Sequence, residues 1–353
     1  MPGDVSSPAR YHMLLLAIES SCDETSAAVV KDGGLVLSNV ISTQEAVHAA
    51  YGGVVPEIAS RKHLEVITPV IEEALKSARV TLDQIEGIAV TQGPGLAGAL
   101  LVGISAAKAI AFARGIPIAG IHHIEGHLFA VFLEKKVKFP LVALVVSGGH
   151  THLYRVDGVG RYQTLGQTRD DAAGEAFDKV AKILGLSYPG GAVIDRLASR
   201  GDPRAIRFPR PLLRDGSCNF SFSGLKTAVL QYVGKARSGF EGEALSDLCA
   251  SFQAAVCEVL VEKTRLAIQR TGVSRLVVAG GVACNSGLRS AMKEMAGETG
   301  VELFIPSPVL CTDNGAMIAV PADYYLENGF ESGLDMDARV SWSLDSLAER
   351  MER

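Results

Sequence analysis

His123 and His127 stand four residues apart in the run Gly120-Ile121-His122-His123-Ile124-Glu125-Gly126-His127. On a helix this spacing sends both imidazoles out of one face, where they can share a metal ion. The competing reading is a pair of solvated or core histidines. Glu125 does not complete a zinc-protease motif: there the glutamate directly follows the first histidine, whereas Glu125 comes two residues after His123, about 200° around a helix, and points away from a metal-bound water. A third ligand must come from elsewhere, and Asp313 is the choice because it lies on the C-terminal side of the strand Leu303 to Ile305, where α/β proteins place their sites. Asp313 could instead cap the following helix. Two histidines and one carboxylate leave positions open for phosphate oxygens, and iron(II), zinc and magnesium-like occupancy all stay open.

Four further clusters carry chemistry. Ser147-Gly148-Gly149-His150-Thr151 joins two apolar runs, and its glycines let backbone N–H groups approach a phosphate with no Cβ in the way, although alone it reads equally as a turn. Val277-Val278-Ala279-Gly280-Gly281, with Asn285 four residues on, is a buried strand ending in glycines before a helix whose N-terminus can face a nucleotide. Asn285 offers both a donor and an acceptor. The two glycine turns together favour a nucleotide where either alone favours a plain turn. Glu19, Asp23 and Glu24 crowd a loop between strongly apolar flanks, which is costly unless the loop meets cations or donors; otherwise it is a solvated acidic turn. Asp178, followed by Tyr188-Pro189-Gly190-Gly191 and Asp195, adds carboxylates that can grip ribose hydroxyls or an ammonium group, or simply face solvent.

The elements that must position these residues alternate between strands and helices, so the chain is α/β. Met13 to Val30 and Leu35 to Ile41 flank the turn Asp32-Gly33-Gly34 as a hairpin, and Leu141 to Val146 with His152 to Val156 repeat that pattern in the second half. The echo points to duplicated lobes. Helices are expected over Glu57 to Ala78, across His123 and His127, over Asp171 to Leu184 and Leu245 to Arg270, and from Asp313 through Tyr325. Tyr188-Pro189-Gly190-Gly191 reads as a loop and Arg207 to Arg214 as a basic irregular stretch. With 353 residues, 48% of them hydrophobic, the chain can bury two medium cores. The expected division is a disordered tail at 1–11, an N-terminal lobe with the metal-binding helix at 12–137, a nucleotide-binding lobe at 138–322, and a C-terminal segment, 323–353, packing back between the lobes.

A formal charge of -5 gives no overall positive field, so contact with nucleic acid must be local or shared with a partner subunit. Six cysteines without a CxxC pair read as reduced thiols of a cytosolic protein. The first ten residues have no apolar signal region, and Lys108 interrupts the small-residue run Leu96 to Ala113, which reads as a packed core helix rather than a membrane span.

IESSCDET, QGPGLAGALLVGISAAKAIA, HHIEGH, VSGGHT, GEAFDKVAKILGL, YPGG, FSFSGLKTA, AGGVACN and CTDNGAMIA, spread over nearly the whole chain, closely resemble the signatures of the TsaD family, once called Gcp or O-sialoglycoprotein endopeptidase. The resemblance implies a two-lobed actin-like, sugar-kinase-like ATPase fold with mixed-sheet lobes and a central nucleotide cleft. It implies transfer of a threonylcarbamoyl group from threonylcarbamoyl-AMP to N6 of the adenosine 3′ of the anticodon, in tRNAs reading codons that begin with A. Carried over by position, the metal ligands are His123, His127 and Asp313, and the nucleotide contacts are Val146, Ser147, Gly148, Gly149, His150, Asp178, Gly191, Asp195 and Asn285. His150 and the loop carboxylates Glu19, Asp23 and Glu24 become candidates for proton handling or donor orientation. One divalent ion per subunit is implied, iron(II) first with zinc or magnesium as alternatives, and ATP, ADP or AMP can occupy the cleft. The implied partners are tRNA, a TsaB-like paralogue docking on helices of the first lobe and a TsaE-like ATPase, in the cytoplasm and without a membrane. Arg61, Lys62, Arg207, Arg210, Arg214 and Lys226 are candidate tRNA-facing charges or ordinary solvated surface. A small-molecule kinase of the same fold, an inactive scaffold like the TsaB paralogue and a secreted glycoprotease are the rivals; the metal triad opposes the scaffold, and Glu125 with the missing signal peptide opposes the protease.

Overall fold

Leu15, Leu16, Ala17 and Ile18 are fully buried, so the first strand has apolar residues on both of its faces and must be covered on both. A computed structural model describes residues 13–235 and 239–348; the expected tail, residues 1–11, lies outside the described residues. The chain forms two compact units. The first takes the chain up to Ser42, Pro56–Leu133 and Asn314–Trp342, and the second takes Thr43–Val55, Glu134–Asp313 and the chain from Ser343 on.

In the first unit β1 (Leu14–Glu19), β2 (Glu24–Lys31), β3 (Leu35–Thr43), β4 (Gly87–Gly93) and β5 (Ile118–His122) form a sheet in the order β3-β2-β1-β4-β5. β1 runs antiparallel to β2, with Glu19 opposite Ser26, and parallel to β4, which is parallel to β5. Leu16 and Ile18 pack with Ile67, Ile71, Leu100 and Ile104 of the helices Pro56–Ala78 and Ala97–Arg114. The alternate residues face the other way, where Gly315 opens the helix Gly315–Glu327: a Cβ there would come within 2.9 Å of the Ala17 carbonyl oxygen. That helix also packs on His123–Phe129.

The second unit repeats the plan. β6 (Leu141–Val146), β7 (Thr151–Gly158), β8 (Arg161–Gln167), β9 (Arg275–Ala279) and β10 (Glu302–Phe304) lie in the order β10-β9-β6-β7-β8. Counted from its own first strand, this is the order of the first sheet, with the same antiparallel hairpin and the same parallel neighbours. Phe177, Phe220, Phe222 and Phe252 fill the core, and the stripe Phe252, Val256, Val259 and Leu260 of Gly242–Thr271 is fully buried, as its spacing requires.

Two elements differ from the sequence expectation. Gly190 and Gly191 are not loop but the first turn of the helix Gly190–Ala198. The Gly190 N–H donates to Asp178 Oδ1 at 2.8 Å, and a Cβ at 190 would lie 2.5 Å from that of Ala181, so this glycine serves close helix packing. The helix Ser223–Lys235 gave no sequence signal; it starts where the Phe222 and Ser223 N–H groups donate to Asp170 Oδ1, a carboxylate more than fifty residues earlier. The basic stretch before it is irregular, as expected, and is pinned by Lys263. That ammonium is 1% exposed and donates to the Leu212 and Ser217 carbonyls and to the Asp215 carboxylate, which it holds well below the usual range.

Ala97–Arg114 and Gly242–Thr271 are long and apolar enough to cross a membrane by length and composition. Gly242–Thr271 is mostly interior to its unit, while Ala97–Arg114 buries one face on the sheet and exposes Leu101 and Phe112 on the other.

Asp323, on Gly315–Glu327, is buried against the turn at Gly33. Burial, with Glu327 and Asp32 nearby, pushes its carboxyl from 3.8 up to about 7. A raised acid binds its proton more tightly when folded, so its contribution to stability is present at low pH and is lost as pH rises through about 7. The stability advantage of Asp323→Asn over the parent is therefore expected to be smallest near the ordinary carboxylate value, to grow up to neutrality and then to level off. Thermal unfolding across that range checks it, and an advantage independent of pH contradicts it.

Candidate functional site

β5 ends at His122 and the helix His123–Phe129 begins at once. His122 is spent on the turn itself: its Nδ1 accepts the Ile124 N–H at 3.1 Å and its Nε2 donates to the Trp342 carbonyl at 3.1 Å. His123 and His127 sit one turn apart with ring centroids 4.7 Å apart and both are buried. Their ligand atoms and a carboxylate oxygen of Asp313 all lie within 4.8 Å of one another. Asp313 is bonded directly to Asn314, whose Oδ1 accepts the Met317 N–H at 3.0 Å and so caps Gly315–Glu327. The capping alternative for Asp313 is thereby removed. Its place beside the histidines follows from the start of a helix that packs on theirs.

Glu19, at the end of β1, is fully buried. It accepts the Ser21 N–H at 2.5 Å, the Thr91 hydroxyl at 2.5 Å and the His123 Nδ1–H at 3.1 Å, and Ser21 Oγ lies 3.1 Å from the same nitrogen. A carboxylate that takes the Nδ1 proton leaves Nε2 with its lone pair for a metal ion and fixes the ring's direction. The residues therefore fit a divalent ion held by two neutral imidazoles and one carboxylate. Glu125 faces away from this pair, as its spacing demands: the Tyr325 hydroxyl donates to its Oε1 at 2.7 Å in the interior of the unit. Glu125 therefore does not stand where a zinc protease needs its base. Asp23 and Glu24 lie half-buried at the β1–β2 turn and the start of β2.

The glycine turns belong to the second unit. The Ser147 N–H donates to the His150 carbonyl at 2.8 Å and the His150 N–H to Ser147 Oγ at 3.2 Å, closing a loop whose Gly148 and Gly149 face open space. The Gly174 N–H donates to the Ser147 carbonyl and the Glu175 N–H to that of Gly148, laying the N-terminus of the helix Ala173–Ile183 against this loop. Gly280 has φ +92°, and a Cβ there would collide with the Val146 carbonyl, so the ends of the neighbouring strands β6 and β9 meet only because this residue is glycine. Gly281 again faces open space, and Gly191 leaves room for an ordinary contact with Phe177.

The side chains of Asp195 and Asn285 are committed to the scaffold. Asp195 accepts the Ser286 N–H at 3.0 Å, the Ser286 hydroxyl at 2.8 Å and Gln253 Nε2 at 3.0 Å. Asn285 caps the helix Ser286–Thr299 through the Leu288 N–H at 2.9 Å and donates to Gln253 Oε1 at 2.7 Å. Gln253 and Ser286 were absent from the sequence reading. The available signal was a lone glutamine, 8% exposed, inside an otherwise apolar helix face. A cavity of about 700 Å³ lies beside this network, lined by Gln253, Cys257, Ser286 and Glu294 among others. Of the candidate tRNA-facing residues, Arg61, Lys62, Arg210 and Lys226 each pair with a carboxylate, while Arg207 and Arg214 are exposed and form no ion pair among the described residues.

A family model described as TsaD, tRNA N6-adenosine threonylcarbamoyltransferase, matches residues 35–320. Proteins of that name resemble the chain closely. The one from Geotalea uraniireducens (strain Rf4) is 69% identical over 341 residues, covering 97% of this chain and 99% of the relative. The one from Geobacter metallireducens is 68% identical over 340 residues, covering 96% and 100%. Among solved structures, component A of the (R)-2-hydroxyglutaryl-CoA dehydratase of Acidaminococcus fermentans matches with a TM-score of 0.54 at 17% identity, over 90% of this chain and 99% of that one. Full-length HypF matches with a TM-score of 0.61 at 17% identity, over 91% and 47%. These likenesses show the actin-like ATPase fold. By its match along nearly the whole length of these relatives, the chain belongs to the TsaD family of tRNA N6-adenosine threonylcarbamoyltransferases.

Proposed function

We propose that this chain transfers the threonylcarbamoyl group of threonylcarbamoyl-AMP to N6 of the adenosine 3′ of the anticodon in tRNAs reading A-starting codons. The observation that carries the reading is the convergence of the buried His123 and His127 with the half-buried Asp313, in a chain 69% identical to a protein named for that transfer. Two imidazole nitrogens and one carboxylate oxygen suit iron(II) or zinc better than magnesium, which prefers an all-oxygen shell. The ion, when bound, would act as a Lewis acid on phosphate oxygens of the donor and on the charge left on departing AMP.

The chain's own residues would do the rest. The backbones at Gly148, Gly149, Gly191 and Gly281 are uncrowded enough for phosphate or ribose to approach, while Asp178, Asp195 and Asn285 hold the surrounding segments in place through Gly190, Ser286 and Gln253. The adenine amine must meet the carbamoyl carbon from above the plane of its carbonyl, so fixed placement of the donor supplies much of the rate. His150, half-buried at the mouth of its turn, is the proposed proton handler. Glu19 is better suited to orienting His123 than to moving protons, since its oxygens already take three donors.

Partners follow from the same reading. A TsaB-like subunit would dock on the exposed face of Pro56–Ala78 and Ala97–Arg114, where Leu64, Leu101 and Phe112 stand out of the unit. A TsaE-like ATPase and tRNA complete the set. Arg207 and Arg214 are the basic residues best placed to meet RNA, and the substrate sets the compartment as the cytoplasm.

Mass spectrometry of tRNA nucleosides, after incubation with threonine, bicarbonate, ATP and the partner proteins, is expected to show the modified adenosine only when this chain is present. Robust phosphorylation of a sugar or acid with no modified adenosine would favour the kinase reading instead. His123→Ala should lose both retained metal and the modified nucleoside while its far-ultraviolet circular dichroism is unchanged; a fully active, metal-free variant refutes the assignment. Glu19→Gln keeps the shape but loses the full negative charge behind His123, so metal affinity by titration should fall about 10- to 100-fold. Unchanged affinity would remove Glu19 from its orienting role.

A further inference from the structure

Two thiols stand outside this chemistry, yet one is next in sequence to Asn285 and the other lies two residues before Asp313. Cys284 closes the short helix Gly281–Cys284, Cys311 closes Pro308–Cys311, and these two single turns pack on each other within the second unit. The two thiols are near enough that each is the largest influence on the other's ionisation. Cys284 also reaches the Pro308 carbonyl at 3.6 Å, and Cys311 the Pro306 carbonyl at 3.5 Å. Arg289 straps both turns: its Nε donates to the Ala283 carbonyl at 2.6 Å, and its Nη2 to the Pro306 carbonyl at 2.6 Å and to Cys311 Sγ at 3.4 Å. Cys284 is partly exposed and Cys311 is fully buried.

An accessible sulfur that reacts first, a sheltered one on the turn packed against it, and a fixed cation strapping both turns are the parts of a redox-active dithiol. The neighbouring Cys311 thiol and the charge of Arg289 hold the Cys284 thiol below its usual value despite burial. By contrast, burial pushes Cys249 up to about 11 and Cys257 up to about 12, which keeps them protonated and inert.

We infer that Cys284 and Cys311 form a reversible disulfide site that is oxidised by hydroperoxides. Cys284 gives up its proton, its thiolate attacks the peroxide oxygen, the O–O bond breaks, and the sulfur becomes a sulfenic acid while the leaving alkoxide, or hydroxide for hydrogen peroxide, takes up that proton and departs as the alcohol or as water. Cys311 then attacks that sulfur, an S–S bond forms, and the sulfenic oxygen leaves as water with the Cys311 proton. Two thiols are oxidised and one peroxide is reduced. The new bond ties the Gly281–Asn285 turn to the segment entering Asp313, so it should distort the glycine turn offered to the nucleotide. The bond itself is independent of the proposed function; the effect on nucleotide rests on that reading.

The test uses the reduced full chain, treated with a small molar excess of hydrogen peroxide, alkylated and digested. The expected product is a Cys284–Cys311 cross-linked peptide pair that dominates over every other thiol pair, is reversed by dithiothreitol and is absent from Cys284→Ser and from Cys311→Ser. With ADP as the calorimetric probe, peroxide should weaken binding at least tenfold in the parent, and treated and untreated Cys284→Ser should bind ADP alike. Oxidation of Cys284 to sulfinic acid without a cross-link, or a dominant cross-link elsewhere, overturns the site. A cross-link that leaves ADP binding unchanged overturns the coupling to the nucleotide turn. Reduced protein that binds no ADP at all counts against the nucleotide reading and leaves the disulfide to be judged by the peptide map.

Discussion

A carboxylate sealed inside the first unit sets the terms for what surrounds it. Taking an ionised carboxylate out of water costs several kcal/mol unless donors or a cation meet it. Glu19 meets its donors from three directions: the turn after β1 through Ser21, the end of β4 through Thr91, and the helix after β5 through His123. β1, β4 and β5 are parallel neighbours, so their C-terminal ends lie side by side, and the three groups can converge only with the strands in this order. Once His123 is held by Glu19, helical spacing brings His127 to the same side, and the capped start of Gly315–Glu327 delivers Asp313. A site rich in buried polar groups is thus built from rigid element ends, which is the condition for precise ligand geometry.

The second unit uses the same sheet plan for a different purpose. β6 corresponds to β1 and β9 to β4 in strand order. In the first unit these strand ends carry a carboxylate and a threonine, while in the second they carry Ser147-Gly148-Gly149 and Gly280-Gly281. The first arrangement gathers side chains, and the second strips them away to leave backbone exposed. A duplicated scaffold can therefore supply cation chemistry at one set of strand ends and an anion-tolerant platform at the other. The carboxylates near the glycines serve this second arrangement indirectly, since Asp178 and Asp195 bind backbone N–H groups of Gly190 and Ser286 and fix where the open glycines lie.

Much of this was legible in the sequence, and the exceptions share a cause. The spacing of His123 and His127, the stripe Phe252, Val256, Val259 and Leu260, and the strand-then-glycine pattern at Gly280 are local, and local periodicity reports them directly. The partners of Glu19 lie 72 and 104 residues away, at Thr91 and His123, so no window of sequence distinguishes an orienting carboxylate from a proton carrier. Gln253 is in the same position, joining Asp195 to Asn285 from the middle of an apolar helix. The Tyr188-Pro189-Gly190-Gly191 run misleads for a different reason: Gly190 answers to the closeness of Ala181 and Phe177, which is a tertiary demand, and so it looks like a turn residue when read alone. Family resemblance supplied the residue set, but it did not say that Asp195 and Asn285 would spend their polar atoms on the scaffold.

The central claim is that two imidazoles and one carboxylate hold a single ion. Anomalous diffraction from crystals of the metal-loaded protein, collected on either side of the iron or zinc absorption edge, tests it most directly. One difference peak is expected at about 2.0–2.2 Å from His123, His127 and Asp313 together. Fully loaded crystals with no peak among those three side chains, or with the ion bound at some other set of residues, would contradict the account.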